Sequence, residues 1–287
     1  MEVKLSSPTP NPSPTVEGLI MHPELINFSL FGLTVDISSY RFFMALAIVT
    51  ATAGSYWMIK RSELDLKKAL IILAVAILGF LVGSRMLNIL INSGLYLAHP
   101  DRIYSLNMTG FSEYGGLMGA ALAGFLMTRK FKLDVWRLGD LLAPNLGIGI
   151  AIMRIGCYLN GCCFGKETNL PWGVRFPLFS DAHMYELNKG TANLLSVTPV
   201  HPTEIYELIA ALIGTAIALF ILKKKVKPGI AVLGFLIWFT TFRLFNHLLR
   251  VMPNSFDAPA WFYPAFYVVI IILCVILLLQ KFKSRNT

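Results

Sequence analysis

Three cysteines crowd into CYLNGCCFG as Cys157, Cys162 and Cys163, and four arginines, Arg85, Arg154, Arg243 and Arg250, stand near the ends of long apolar stretches. Zinc would want thiolates two to four residues apart with further Cys or His. The 157/162 spacing is wide and adjacent cysteines seldom bind one ion, so no metal is expected. A disulfide in an oxidising compartment and small packed thiols remain open, and nothing in the sequence argues for an activated thiolate. A charge at the centre of a membrane helix costs about 3 kcal/mol on insertion scales and marks a functional site by default, although long side chains near an interface also snorkel to the headgroups. Guanidinium forks bind phosphate bidentately, so several arginines toward one surface predict an anionic ligand, with a phospholipid headgroup first. In HPTEIYE, Glu204 and Glu207 lie three apart and share a helix face. Glu207 is expected to pair with an arginine of a neighbouring helix, and Glu204 suits a helix N-terminus. His201 and Tyr206 stand beside them, and Asp140, followed by Pro144, is read as structural.

The elements that hold these residues are set by composition. The chain has 287 residues, 55% hydrophobic and 14% charged, with net charge +9 and mean hydropathy +0.63, where soluble domains carry about 25% charged residues. It is an integral membrane protein by this measure. Disorder, collagen and a disulfide-framework domain are excluded, and nucleic acid is not expected, because Lys and Arg lie in short runs between apolar segments and not on one basic face. A span needs about 20 apolar residues. Seven stretches qualify: 40–59, 69–87, 115–127, 135–155, 205–222, 229–245 and 261–279, the third short and Gly-rich. Four runs, at 60–68, 129–137, 223–227 and 281–285, hold 15 of the 25 Lys and Arg, one after every second stretch. Basic loops face the cytoplasm, which puts the N-terminus outside and the C-terminus inside. The expected architecture is all-α, a polytopic bundle of seven transmembrane helices with a small extracytoplasmic head at about 164–204. A partly disordered N-terminal segment, 1–38, precedes the bundle domain, 39–285. The Pro- and Ser-rich opening SSPTPNPSPTVEG has no apolar core and reads as neither signal peptide nor helix. No internal repeat of the kind found in transporters is evident.

The segment WRLGDLLAPNLGIGIAIMRIGCYLNGCCFG resembles the signature of the bacterial prolipoprotein diacylglyceryl transferases, with Arg154, Gly156, Asn160 and Gly165 at matching positions and Tyr158 as the aromatic. Further matches are LPWGVRFP, HPTEIYE, GSR at Gly83 to Arg85, GGL at Gly115 to Leu117, SYRFF around Tyr40, and RLFNHLLR with Arg243 and Arg250. The resemblance runs over nearly all of Met21 to Arg285. It implies an enzyme of the bacterial cytoplasmic membrane that moves the diacylglyceryl group of phosphatidylglycerol onto the lipobox cysteine thiol of a preprolipoprotein and releases glycerol phosphate, with no metal or organic cofactor. Carried over residue by residue, it implies Arg154, Arg243, His247 and Tyr114 as catalytic candidates. Tyr40, Asn160, Gly115, Gly116, His201, Glu207, Arg85 and Arg250 join Arg154 in binding substrate.

The chain departs from that pattern at four polar positions. Tyr114 stands where the family has His, Cys157 and Cys162 where it has Asn and Glu, and His247 where it usually has Glu. A phenol is a poor base at neutral pH, so His201 and His247 become alternatives for the proton acceptor. The departures also keep two rival readings in view: an enzyme of the same fold with another acceptor, and a non-catalytic membrane protein that responds to redox state or metal through its three outer cysteines.

Overall fold

A computed structural model describes residues 24–30, 33–104, 112–178, 180–190, 196–224, 226–251 and 261–283; for 24–37, 104, 113 and 114 only the backbone is described. The expected disordered lead lies outside the described residues. The chain enters through an antiparallel hairpin, β1 (Glu24–Leu30) and β2 (Leu33–Ser38), which the sequence reading did not anticipate. All else that is long is helical: α1 (Ser39–Lys60), α2 (Leu66–Ile91), α3 (Ser93–Ala98), α4 (Glu113–Phe131), α5 (Val135–Asn160), α6 (Asp181–Lys189), α7 (Thr203–Lys223), α8 (Ile230–Leu249) and α9 (Phe262–Lys283). In lipid every backbone polar group must be satisfied within the segment, which leaves helices as the form for these apolar runs.

Six of these helices, α1, α2, α5, α7, α8 and α9, are long and apolar enough to cross a membrane. The protein is therefore a multi-pass helical membrane bundle. Each of the seven expected stretches is a helix, but α4, with 19 residues and Arg129 and Lys130 in its last turn, falls short of that mark. Polar side chains set the helix starts, as Ser38, Asp65, Ser112, Asp134 and Ser180 accept backbone N–H groups at the first turns of α1, α2, α4, α5 and α6.

Packing runs through small residues, because lipid gives no hydrophobic drive for one apolar helix to bury against another. Antiparallel α2 and α4 meet through paired glycines. A Cβ on Gly83 would stand 2.3 Å from the Gly115 carbonyl oxygen, and one on Gly119 2.1 Å from that of Gly79. In the main body α5 is central, with 56% of its apolar window buried against 17% in α1. It packs on α1 and α7, while α7 packs on α8 and α8 on α9. Ala143, Ala151, Ala210, Ala211, Ala218 and Ala231 line this interior with Phe235 and Phe239. Ile59, Ala69, Ile72 and Leu138 close the end with the basic loops and tie α2 to α1 and α5.

Asp140 has the structural role expected of it. From α5 it accepts the N–H groups of Gly229 (2.6 Å) and Val232 (2.8 Å), capping α8 from a neighbouring helix. Gly229 has φ of 98°, the left-handed region where a side chain is strained. Over the opposite end, the described residues among 161–202 fold around Phe164, Phe176, Ala182 and Val200. This segment is sewn to α8 by backbone bonds from Lys166 to Leu249 (2.7 Å) and from Val251 to Phe164 (3.1 Å).

Candidate active site

Where α5, α7 and α8 meet beneath that segment, two arginines close on one carboxylate. Arg154, in the last two turns of α5, places Nη2 2.5 Å from Glu207 Oε2. Arg243 of α8 places Nε 3.7 Å from Glu207 Oε1. Asn246 donates to the same Oε1 at 3.2 Å and to the Thr203 carbonyl at 3.1 Å. All four side chains are buried, with Arg154 and Glu207 each 3% exposed. The pairing of Glu207 with an arginine of a neighbouring helix is as the sequence suggested. Asn246 was missed, although it lies three residues after Arg243 and so on the same face of α8.

The ion cluster is incomplete as it stands. Among the described residues, Arg154 Nε and Arg250 Nε are buried without a hydrogen-bond partner, as are both carboxyl oxygens of Glu204, one turn before Glu207. Buried donors are nearly always satisfied, so each exception calls for a reason, and a buried charge without full pairing is costly. Two unspent guanidinium donors beside a third arginine are the arrangement an anion would complete.

A cavity of about 580 Å³ opens next to this cluster, between the capping segment and the ends of α8 and α9. His247 and Arg250 line it together with Lys166, Lys189, Phe164 and Pro264. His247 also lies against Tyr263 and Tyr267, with ring centroids 5.9 and 6.1 Å away, and Arg243 sits 5.9 Å from the Tyr267 ring centroid. A second groove of about 410 Å³ runs between α7 and α8. It is walled by Ile209, Ile213, Phe242 and Phe245 and reaches Asn246.

The remaining expected residues fall in three places. Tyr40, the second residue of α1, lies close to Gly156, where a Cβ would lie 3.4 Å from the Tyr40 Cα, and Asn160 is the last residue of α5. His201 turns its Nδ1 to the Tyr206 hydroxyl (3.3 Å), which also accepts from Trp172 Nε1 (2.8 Å). The described contacts of Arg85 are local: its Nε donates to the Ile103 carbonyl (3.2 Å), its Nη2 to that of Arg102, and its guanidinium faces Tyr96. Gly115 and Gly116 sit against α2, where a Cβ on Gly116 would meet Ser84 Oγ at 2.4 Å. Tyr114 is the second residue of α4, and its side chain lies outside what is described.

All four cysteines are free. Cys157, Cys162 and Cys163 bring their sulfurs within 4.8 Å of one another, and Arg154 Nη1 donates to Cys157 Sγ at 3.7 Å. Cys163 is held at φ 71°, and its carbonyl accepts from the Thr203 hydroxyl at 2.6 Å. Cys274 is buried in α9.

The chain is similar to several curated proteins named phosphatidylglycerol--prolipoprotein diacylglyceryl transferase. One from Pseudomonas fluorescens is 30% identical over 186 residues, 64% of each chain. One from a Nostoc species is 30% identical over 215 residues, 73% of this chain and 72% of the relative, and one from Geobacter sulfurreducens 29% over 237 residues, 82% and 79%. The match to the Pseudomonas protein spans a little under two thirds of that protein's length. The family model described as prolipoprotein diacylglyceryl transferase matches residues 26–282, from the hairpin through α9, and the chain belongs to that family.

Proposed function

We propose that this protein transfers the diacylglyceryl group of phosphatidylglycerol to the lipobox cysteine thiol of preprolipoproteins and releases glycerol phosphate, from the cytoplasmic membrane of a bacterium. The observation that carries this reading is the buried pair Arg154 and Arg243 on Glu207, with half-buried Arg250 toward the cavity and the buried Nε donors of Arg154 and Arg250 unspent among the described residues. The names of the relatives point to the same reaction. The basic loops lie inside by the charge rule, so the N-terminus and the cluster face outward and the C-terminus inward.

The chemistry asks for little beyond placement and charge. The acceptor sulfur attacks the glyceryl carbon, the carbon–oxygen bond to phosphate breaks, and its electron pair leaves on the phosphate oxygen. Negative charge grows there, and fixed guanidinium donors in a site with little water stabilise it as it forms. The thiol proton must go to a base as the sulfur becomes nucleophilic. His247 is the group we assign, since it faces the cavity beside Arg250, whereas His201 is engaged with Tyr206. The apolar groove along α7 and α8, reaching Asn246, has the character an acyl chain needs. Glu207 holds Arg154 and Arg243 in place, and Arg85 shapes the outer end of α2.

The test is transfer of labelled diacylglyceryl from phosphatidylglycerol to a lipobox peptide by the purified protein in detergent, beside an active reference enzyme. Label on the peptide thiol is expected. Arg154→Ala should lower the rate about 10²- to 10³-fold, the usual cost of one lost transition-state donor. No label from a folded protein, or unchanged turnover in the variant, would overturn the reading.

A further inference from the structure

The three outer thiols have no part in the reaction just described, yet the fold brings them together. Cys157 ends on the buried face of α5, Gly161 turns the chain at φ 68°, and Cys163 takes a left-handed φ of 71°. That conformation is strained for a residue with a side chain. The result is three sulfurs within 4.8 Å of one another. In a tetrahedral zinc site with bonds near 2.3 Å, sulfurs lie about 3.8 Å apart, so a contraction of about 1 Å closes the cluster on an ion.

Two further observations point the same way. Glu204 is 1% exposed and both its oxygens lack a partner among the described residues. Thr203, the residue before Glu204, grips the Cys163 carbonyl. Arg154 Nη1 donates to Cys157 Sγ, the outer hydrogen bond that orients and tunes a metal-bound ligand.

We infer that Cys157, Cys162 and Cys163 form a binding site for a thiophilic divalent cation, with zinc as its natural occupant and Glu204 as the buried carboxyl group beside the Thr203 that holds Cys163. Binding replaces three S–H protons by one ion and releases those protons to solvent. The adjacency of Cys162 and Cys163, which argued against a metal, is overcome by the positive φ at Cys163, which returns its sulfur toward the other two. Through its bond to Cys157, Arg154 then links the metal site to the anion site.

The experiment uses the full chain, purified in detergent under reductant, loaded with Zn²⁺ and desalted. Retention of about one zinc per chain is expected, with Co²⁺ in its place giving thiolate-to-metal charge-transfer absorption. Cys162→Ser and Cys163→Ser should each abolish retention while Cys274→Ser keeps it, and Glu204→Gln should weaken affinity about tenfold. Circular dichroism and elution volume confirm that the variants fold. Absence of retained zinc while all the thiols titrate as free would overturn the inference, as would a native disulfide among the three, seen as a mass deficit of two hydrogens. The readout needs neither lipid nor peptide. Transfer is assayed separately on the same preparation, so failure of the metal site and failure of the proposed reaction are told apart.

Discussion

Replacing Glu207 by Gln keeps the size of the side chain and an oxygen for Asn246, and removes the negative charge. The carboxylate is the anion that Arg154 contacts at 2.5 Å and Arg243 at 3.7 Å, and Arg154 is 3% exposed. Removing one partner of a buried ion pair costs about 3–5 kcal/mol, because the other charge is left in a poorly solvating interior. At roughly 2 °C per kcal/mol for a chain of this size, the midpoint of thermal unfolding in detergent should fall by about 6–10 °C. Glu204→Gln is the internal control. Both Glu204 oxygens are buried and unpartnered among the described residues, so in metal-free protein its replacement should leave the midpoint unchanged or raise it. A phosphate-bearing ligand should restore more of the lost stability to Glu207→Gln than it adds to the parent, since it supplies the missing negative charge. Equal midpoints for Glu207→Gln and the parent, or an equal loss from both glutamate variants, would refute the view that Glu207 organises the arginines.

Three other outcomes follow from the packing. Gly83→Leu should separate α2 from α4, because even its Cβ would press within 2.3 Å of the Gly115 carbonyl; loss of a cysteine crosslink engineered across the two helices would show it, and an undisturbed crosslink would count against the close approach. Asp140→Ala strands the N–H groups of Gly229 and Val232, at about 1–3 kcal/mol for each buried donor, and should appear as faster amide exchange at the start of α8. Asp65 is held below its ordinary range by the backbone N–H of Lys68, so its help to the start of α2 is complete above the unfolded carboxylate value and is lost as pH falls through its lowered folded value. Protection at that turn, taken as the exchange rate relative to the intrinsic rate at each pH, should fall in acid for the parent and stay constant with pH in Asp65→Ala.

Much of this was legible in the residue order. Apolar runs of membrane length and basic clusters after every second one determined a helical bundle, because helices satisfy their own backbone in lipid and lysine and arginine are retained on one side. A functional part for Arg154 and Arg243, and a pairing for Glu207, could be read from charges standing where lipid should be. What the order of residues could not supply was which helices touch. Only the tertiary structure put α5 at the centre with 56% of its apolar window buried, and so made Arg154, Glu207, Arg243 and Asn246 one cluster from three helices. It likewise separated Arg85, held by the Arg102 and Ile103 carbonyls, from arginines that look the same in sequence. The thiols show the limit most plainly. The spacing of 157, 162 and 163 does not show that their sulfurs gather within 4.8 Å; that depends on the left-handed backbone at Cys163, where the chain is pinned by the Thr203 hydroxyl on the Cys163 carbonyl and the Gly165 N–H on the His201 carbonyl, and not on any local propensity of cysteine.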